Sequence, residues 1–298
     1  MAMVIKQAQK VKQYARVCFW GVEKSGKTHA ALELATLLVG EGGKIGVVSS
    51  ERGSSSLLAW KFPHDIIDLT VDEGNNPVRN PYSPRRYEEA LKTFVDAGYQ
   101  AIIVDSATHV WEGEGGVLEF VDGKGNNTYT NGWKEGTPLY NRFLNTLLGV
   151  PCHLIVTLRA KDGYVQEQND RGKMVPRNVG LKPVIRDRFG FEMQFMVYMQ
   201  NQVARVNSSA YQEEIPNDSE INIPDLSEIM SHWLVGAPVP ERVPSLVDSY
   251  KRGLEQKAWT KENFFVVASE LLGLKVTKES ALTIEQLKRL AQRSEQSA

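Results

Sequence analysis

The stretch that most constrains this chain is GVEKSGKT, Gly21 to Thr28, which matches the pattern G-x-x-x-x-G-K-[ST] at every defined position. Such a loop cradles phosphate because its glycines let successive backbone N–H groups curl inward, and the helix that follows adds its positive dipole. The motif requires a strand before it and a helix after it. Ala15 to Trp20 (ARVCFW) is rich in β-formers, and Gly26 to Val39 has helical spacing and ends at Gly40, a suitable C-cap. Gly21, Val22, Glu23, Lys24, Ser25, Gly26, Lys27, Thr28 and His29 are therefore the expected nucleotide-binding residues. Lys27 is expected to reach the β- and γ-phosphates and the Thr28 hydroxyl to ligate Mg²⁺.

The rest of the chain alternates in the way such a motif needs. Lys44 to Ser50, Asp65 to Val71, Gln100 to Ser106 and His153 to Arg159 read as buried strands, and Ser83 to Gly98 and Thr137 to Gly149 as helices. Phe191 to Ser209 reads as a hairpin turning near Asn201. The pattern predicts an α/β protein with a P-loop NTPase core, its sheet mainly parallel with antiparallel strands at one edge. The proline-punctuated stretch Val235 to Pro244 divides a core over 1–240 from a small helical tail over 241–298, in which TKENFFVVASELLG and TIEQLKRLAQRS are amphipathic. Ala107 to Gly136 and Lys161 to Arg188 read as unusually long connections.

In AIIVDS, four apolar residues deliver Asp105 to a strand end, the form of a Walker B carboxylate that holds Mg²⁺ beside the P-loop. Ser106 stands where many ATPases carry the carboxylate that orients the attacking water. Another strand end must then supply it, and KIGVVSSERGSS offers Glu51; the alternative is an ordinary solvated loop charge.

The formal net charge is −1, so any polyanion site must be a local patch. From Arg159 to Arg188 there are eight basic and four acidic residues, a local excess of +4. Tyr164, Arg171, Lys173 and Arg177 are the candidates there for DNA contact, by phosphate neutralisation and base stacking, against the reading of a solvated loop. Trp111 and Trp133 could stack on bases or anchor their own segment. The five histidines and two cysteines show no metal-ligand spacing, and the two cysteines suggest a reducing interior. With no membrane-length apolar run and no signal-peptide pattern at the start, a cytoplasmic protein is expected.

GVEKSGKT, VVSSERGS, AIIVDSATHVW, PCHLIVTLRAKDGY and GLKPVIRDRFGFEMQFMVYM together resemble the phage-encoded RecA-like ATPases of the single-strand annealing and recombination class, the Sak-type AAA-domain phage proteins, over roughly residues 15–208. That resemblance implies a RecA-like fold, a catalytic Glu51 after the second core strand, ATP and Mg²⁺ as cofactors, single-stranded DNA as partner, and homo-oligomers with sites between subunits. It places Thr157, Arg159 and Lys161 where a γ-phosphate sensor or a finger toward a neighbouring subunit would lie. The Asn-Gln pair of bacterial RecA is missing there. The tail helices could bind a single-strand binding protein or annealing partner, or pack on the core. Location in a host cytoplasm is implied. Two rivals remain at this stage: a P-loop small-molecule kinase, and a nucleotide-dependent scaffold or loader that hydrolyses little.

Overall fold

The computed structural model describes residues 13–123, 132–168, 174–234, 260 and 263–272. The chain divides into two compact units, Met1–Gly236 and Ala237–Ala298. In the first, six strands run parallel: β1 (Arg16–Gly21), β2 (Ile45–Ser49), β3 (Asp65–Asp68), β4 (Ala101–Asp105), β5 (His153–Gln168) and β7 (Phe195–Gln200). Two antiparallel strands, β8 (Val203–Ser209) and β9 (Glu220–Ile221), extend one edge, giving the order β3-β2-β4-β5-β1-β7-β8-β9. β1, β2 and β4 are buried almost throughout because helices cover both faces, which is why their sequences read as unbroken apolar runs rather than alternating ones. This is the expected P-loop NTPase-like α/β fold.

The helices segregate by face. α1 (Lys27–Val39) packs with α6 (Ile223–Leu234) over a core that includes Phe19, Leu32, Ile103 and Val197. On the other face α2 (Pro84–Asp96), α3 (Thr108–Glu112), α4 (Val117–Asp122) and α5 (Trp133–Leu148) cover a core built on Tyr87, Ile102, Phe143 and Val156. In the second unit, α7 (Phe264–Leu272) lies within the first tail segment. The 240/241 boundary and the second amphipathic segment of the tail fall outside the described residues.

Three expectations are corrected. Ala107–Gly136 is no open connection: it holds α3 and α4, and α5 starts at Trp133, four residues before Thr137. Trp111 and Trp133 lie 5.8 Å apart and Trp111 meets the Tyr140 ring at 5.6 Å, so both indoles are spent anchoring this segment to the core. Lys161–Arg188 is largely strand among the described residues. β5 continues to Gln168 and pairs antiparallel with β6 (Met174–Pro183), a two-stranded arm leaving the sheet at Ala160. Its side chains are mostly exposed on both faces, so no alternation marks it in the sequence. β3 ends at Asp68 rather than Val71.

The hairpin turn falls where expected, with Asn201 at φ 49° and Gln202 at φ 66°, two left-handed residues that match the twist of the flanking strands. At the opposite end of the sheet, the half-buried Arg16 guanidinium donates to the carbonyls of Ala15, Leu148, Val150 and Cys152 at 2.6–3.0 Å. It satisfies the C-terminal end of α5 and the turn that leads into β5. Arg16→Met should lower the unfolding free energy by about 2–4 kcal/mol, read as a shift in denaturant midpoint, because several buried carbonyls lose their donor together.

Candidate nucleotide site

The carboxyl ends of β1, β2, β4 and β5 meet at one edge of the sheet, where an open parallel sheet presents its ligand crevice. Strand register does the positioning. Gly21 pairs with Arg159, Ser49 with Asp105, and Val104 with Val156, which sets Asp105 beside Thr157. A cavity of about 550 Å³ lies over this edge, lined by Glu23, Lys24, Gly26, Lys27, Thr28, His29, Glu51, Asp105 and Arg159, with Ser54, Leu57 and Leu58 at its rim.

The loop geometry follows from its residue types. Lys24 sits at φ 59° and Gly26 at φ 100°, left-handed positions that turn the chain around a concavity before α1 begins. Gly21 faces β7 so closely that an added Cβ would stand 2.3 Å from the Met199 carbonyl oxygen. The Ser25 hydroxyl is buried without a hydrogen-bond partner among the described residues, and the Lys27 ammonium donates to the Val22 carbonyl at 2.6 Å. Burial lowers the Lys27 pKa, while Asp105 and Glu51 pull it back up. An orphan hydroxyl and a cation folded onto its own loop fit a phosphate chain, which would take donors from both.

Asp105 is the centre of the site. One carboxylate oxygen accepts from Thr28 Oγ1 at 3.0 Å and the other from Thr157 Oγ1 at 2.5 Å. Burial pushes its pKa up, and the two hydroxyls pull it down. One carboxylate and one hydroxyl beside a phosphate cradle suit Mg²⁺, which is held by one or two protein oxygens plus phosphate oxygens and waters. Among the described residues no group of three or more His, Cys, Asp or Glu could hold a metal.

Glu51 stands across the cavity, at the mouth of β2, held by Arg159. Arg159 Nε donates to Glu51 Oε1 at 2.9 Å and Nη2 donates to Oε2, a bidentate pair, while Glu23 lies 3.7 Å from Nη1. Burial alone would raise the Glu51 carboxyl; the guanidinium outweighs it and holds it below the usual glutamate range. Ser106 Oγ lies 3.4 Å from Glu51 Oε1 and 3.5 Å from His109 Nδ1, and Ser50 Oγ lies 2.7 Å from that nitrogen. His109 stacks on Tyr82 at 4.7 Å, and burial lowers its pKa against the pull of Glu51. Ser50 and His109 escape a motif reading because neither has a fixed spacing to the P-loop; a hydrogen-bonding residue one turn after the Walker B aspartate is their one local signal.

The expected site residues therefore separate. The P-loop, Glu51, Asp105, Thr157 and Arg159 converge on one site. His29 lies on the cavity wall, 3.0 Å from Lys61 Nζ and edge-on to Phe62. Lys161 does not line that cavity; it pairs instead with Glu112 at the end of α3, at 3.5 Å. Tyr164 is 58 % exposed on the arm, and Arg177 pairs with Glu167 at 2.9 Å. Arg171 and Lys173 fall outside the described residues.

The Glu51–Arg159 pair sets a pH dependence. A carboxyl whose folded pKa is depressed contributes stability above its unfolded value, near 4.3, and loses it as pH falls through the folded value. Glu51→Gln should cost about 1–2 kcal/mol at pH 7. The gap in denaturant midpoint between the parent and the variant should narrow as pH falls below about 4 through the folded value.

The AAA domain profile matches residues 13–225. No curated protein matches the chain. Among solved structures, the pCW3 conjugation coupling protein TcpA, in its monomer form with ATPgS, is similar at 13 % identity and a TM-score of 0.32, over 62 % of this chain and 49 % of that one. The chain thus spans about half the length of that protein. The profile match takes in β1 to β9, the P-loop, Glu51, Asp105 and the arm, which is most of the chain: it belongs to the AAA domain family, as a P-loop ATPase domain.

Proposed function

We propose that this protein is a Mg²⁺-dependent ATPase that binds single-stranded DNA and acts, as a homo-oligomer, in phage DNA recombination or single-strand annealing. Supporting the hydrolytic part is one juxtaposition: Glu51, just past the end of β2, lines the same cavity as the Thr28–Asp105 pair. Lys27, Ser25 and the loop amides bind and orient the phosphates, Thr28 and Asp105 hold the ion, and Thr157 fixes the Asp105 carboxylate. Bound Mg²⁺ supplies charge neutralisation on the phosphate oxygens. Glu51 accepts a proton from the attacking water once its oxygens are free of Arg159.

The DNA part is supported by β5. The strand runs from Thr157, on Asp105, through Arg159, on Glu51, into the exposed arm that carries Tyr164, Arg177 and Lys182. A polyanion bound along that arm would sit on the same strand as two residues of the hydrolytic site. A nucleotide-dependent scaffold with slow turnover is the second reading, and the bidentate Glu51–Arg159 pair favours it, because a carboxylate held this way is a poor base.

Steady-state ATPase assays with and without single-stranded DNA separate the two. At least a severalfold rise in turnover with DNA is expected for the first reading. Tight ATP binding with negligible turnover in both conditions would favour the scaffold. Glu51→Gln should reduce turnover about 10²–10³-fold while leaving the ATP dissociation constant within about threefold. Lys27→Ala should weaken ATP binding itself by tenfold or more. Neutralising Arg171, Lys173 and Arg177 together should weaken DNA binding and flatten the slope of log affinity against log salt. An unchanged slope would remove the arm as the contact.

A further inference from the structure

Beside the hydrolytic cavity lies a second one, of about 450 Å³, which shares Lys24, Gly26 and His29 with it and opens on the other side of the P-loop. Asp105 and Glu51 stand on the β4 side of β1, so the reacting end of a bound polyphosphate lies there. The opposite end of such a ligand leaves the loop toward β7 and β8, where this cavity is.

Its composition suits a flat, partly apolar group with a polar edge. Met199, Ala204 and Ile223 are all buried and form an apolar wall. Gln202 overhangs the loop: its Cγ lies 3.5 Å from where a Gly26 Cβ would stand, and its backbone N–H donates to the Ser25 carbonyl at 3.1 Å. That bond and the left-handed turn conformation fix Gln202 against the P-loop. Its side-chain amide makes no hydrogen bond among the described residues, whereas the neighbouring Asn222 amide is committed to Asp225 at the start of α6. An amide offers one acceptor and one donor side by side, the complement of the adenine N6/N7 edge.

We propose that this cavity is the nucleoside subsite and that Gln202 is the residue that selects adenine over guanine. The inference rests on the reading of the P-loop as a triphosphate site and adds to it where the base lies and what reads it. A purine there would rest on the Met199–Ala204–Ile223 wall with its edge toward Gln202. The Leu57–Leu58 rim of the first cavity offers apolar contact without a side-chain amide, so it could not distinguish the two purines in this way.

Isothermal titration of the full chain with ATP, GTP and inorganic tripolyphosphate tests this. The parent protein should bind ATP more tightly than GTP. Gln202→Ala should weaken ATP roughly tenfold, bring the ATP-to-GTP ratio close to one, and leave tripolyphosphate within twofold. Ile221→Trp, which fills the cavity from the edge strand, should weaken both nucleotides and spare tripolyphosphate; retained tripolyphosphate binding also reports that the loop is folded. If tripolyphosphate binds but neither substitution moves either nucleotide by more than twofold, the base lies elsewhere and the proposal falls. Equal loss of ATP and GTP in Gln202→Ala would remove Gln202 as the selecting residue. If the parent fails to bind tripolyphosphate, the P-loop reading itself falls, and the subsite with it.

Discussion

The Asp105 carboxylate, buried between Thr28 and Thr157, is the interaction on which the site depends. A carboxylate so far from water is costly unless its oxygens are hydrogen-bonded, and here each receives a threonine hydroxyl. Those two hydroxyls come from the first turn of α1 and from β5, so one side chain ties the phosphate loop, the β4 end and the β5 end into a fixed geometry. The same group raises the local demand for positive charge, which Lys27 meets. Loss of the β4–β5 register by one residue would turn Thr157 away from Asp105 and set an apolar neighbour in its place.

That register is itself a product of the two cores. α1 and α6 press on one face of the sheet and α2 to α5 on the other, so β1, β4 and the first half of β5 have no solvent-facing side. Gly21 lets β1 approach the Met199 carbonyl, which brings the Asn201–Gln202 turn against the P-loop. At the other end, Arg16 gathers the carbonyls that close α5. Past Ala160 the helical cover ends, and β5 continues with β6 as an exposed arm. A single strand therefore joins Thr157 and Arg159 of the site to an exposed two-stranded arm.

How far the sequence could be read depended on how local each cause is. The P-loop, α1 and the Asp105 strand end are legible because their chemistry lies within a few neighbouring residues. Glu51 is legible as a candidate, since Ser106 occupies the usual position and β2 offers a neighbouring strand end; the structure sets it in the lining of the same cavity. Its partner is not legible, because Arg159 lies 108 residues away and only the β4–β5–β1 strand order brings the two together. The arm reads as a loop in the sequence because a two-stranded ribbon exposed on both faces buries little and so shows no period. For Trp111 and Trp133 the sequence leaves base stacking and anchoring equally open, and only the packing of α3 against α5, which brings the two rings to 5.8 Å, decides for anchoring.

The sequence by itself determined a P-loop α/β core, the glycine-turned loop that opens α1, and the buried acid beside it, because backbone conformation and strand burial are written in short-range residue patterns. Only the tertiary structure decided that Arg159 grips Glu51, that Lys161 pairs with Glu112, and that a second cavity under Gln202 adjoins the loop. These depend on which strand ends become neighbours. Burial on both faces of the sheet sets that order through contacts between distant segments, and no local pattern encodes it.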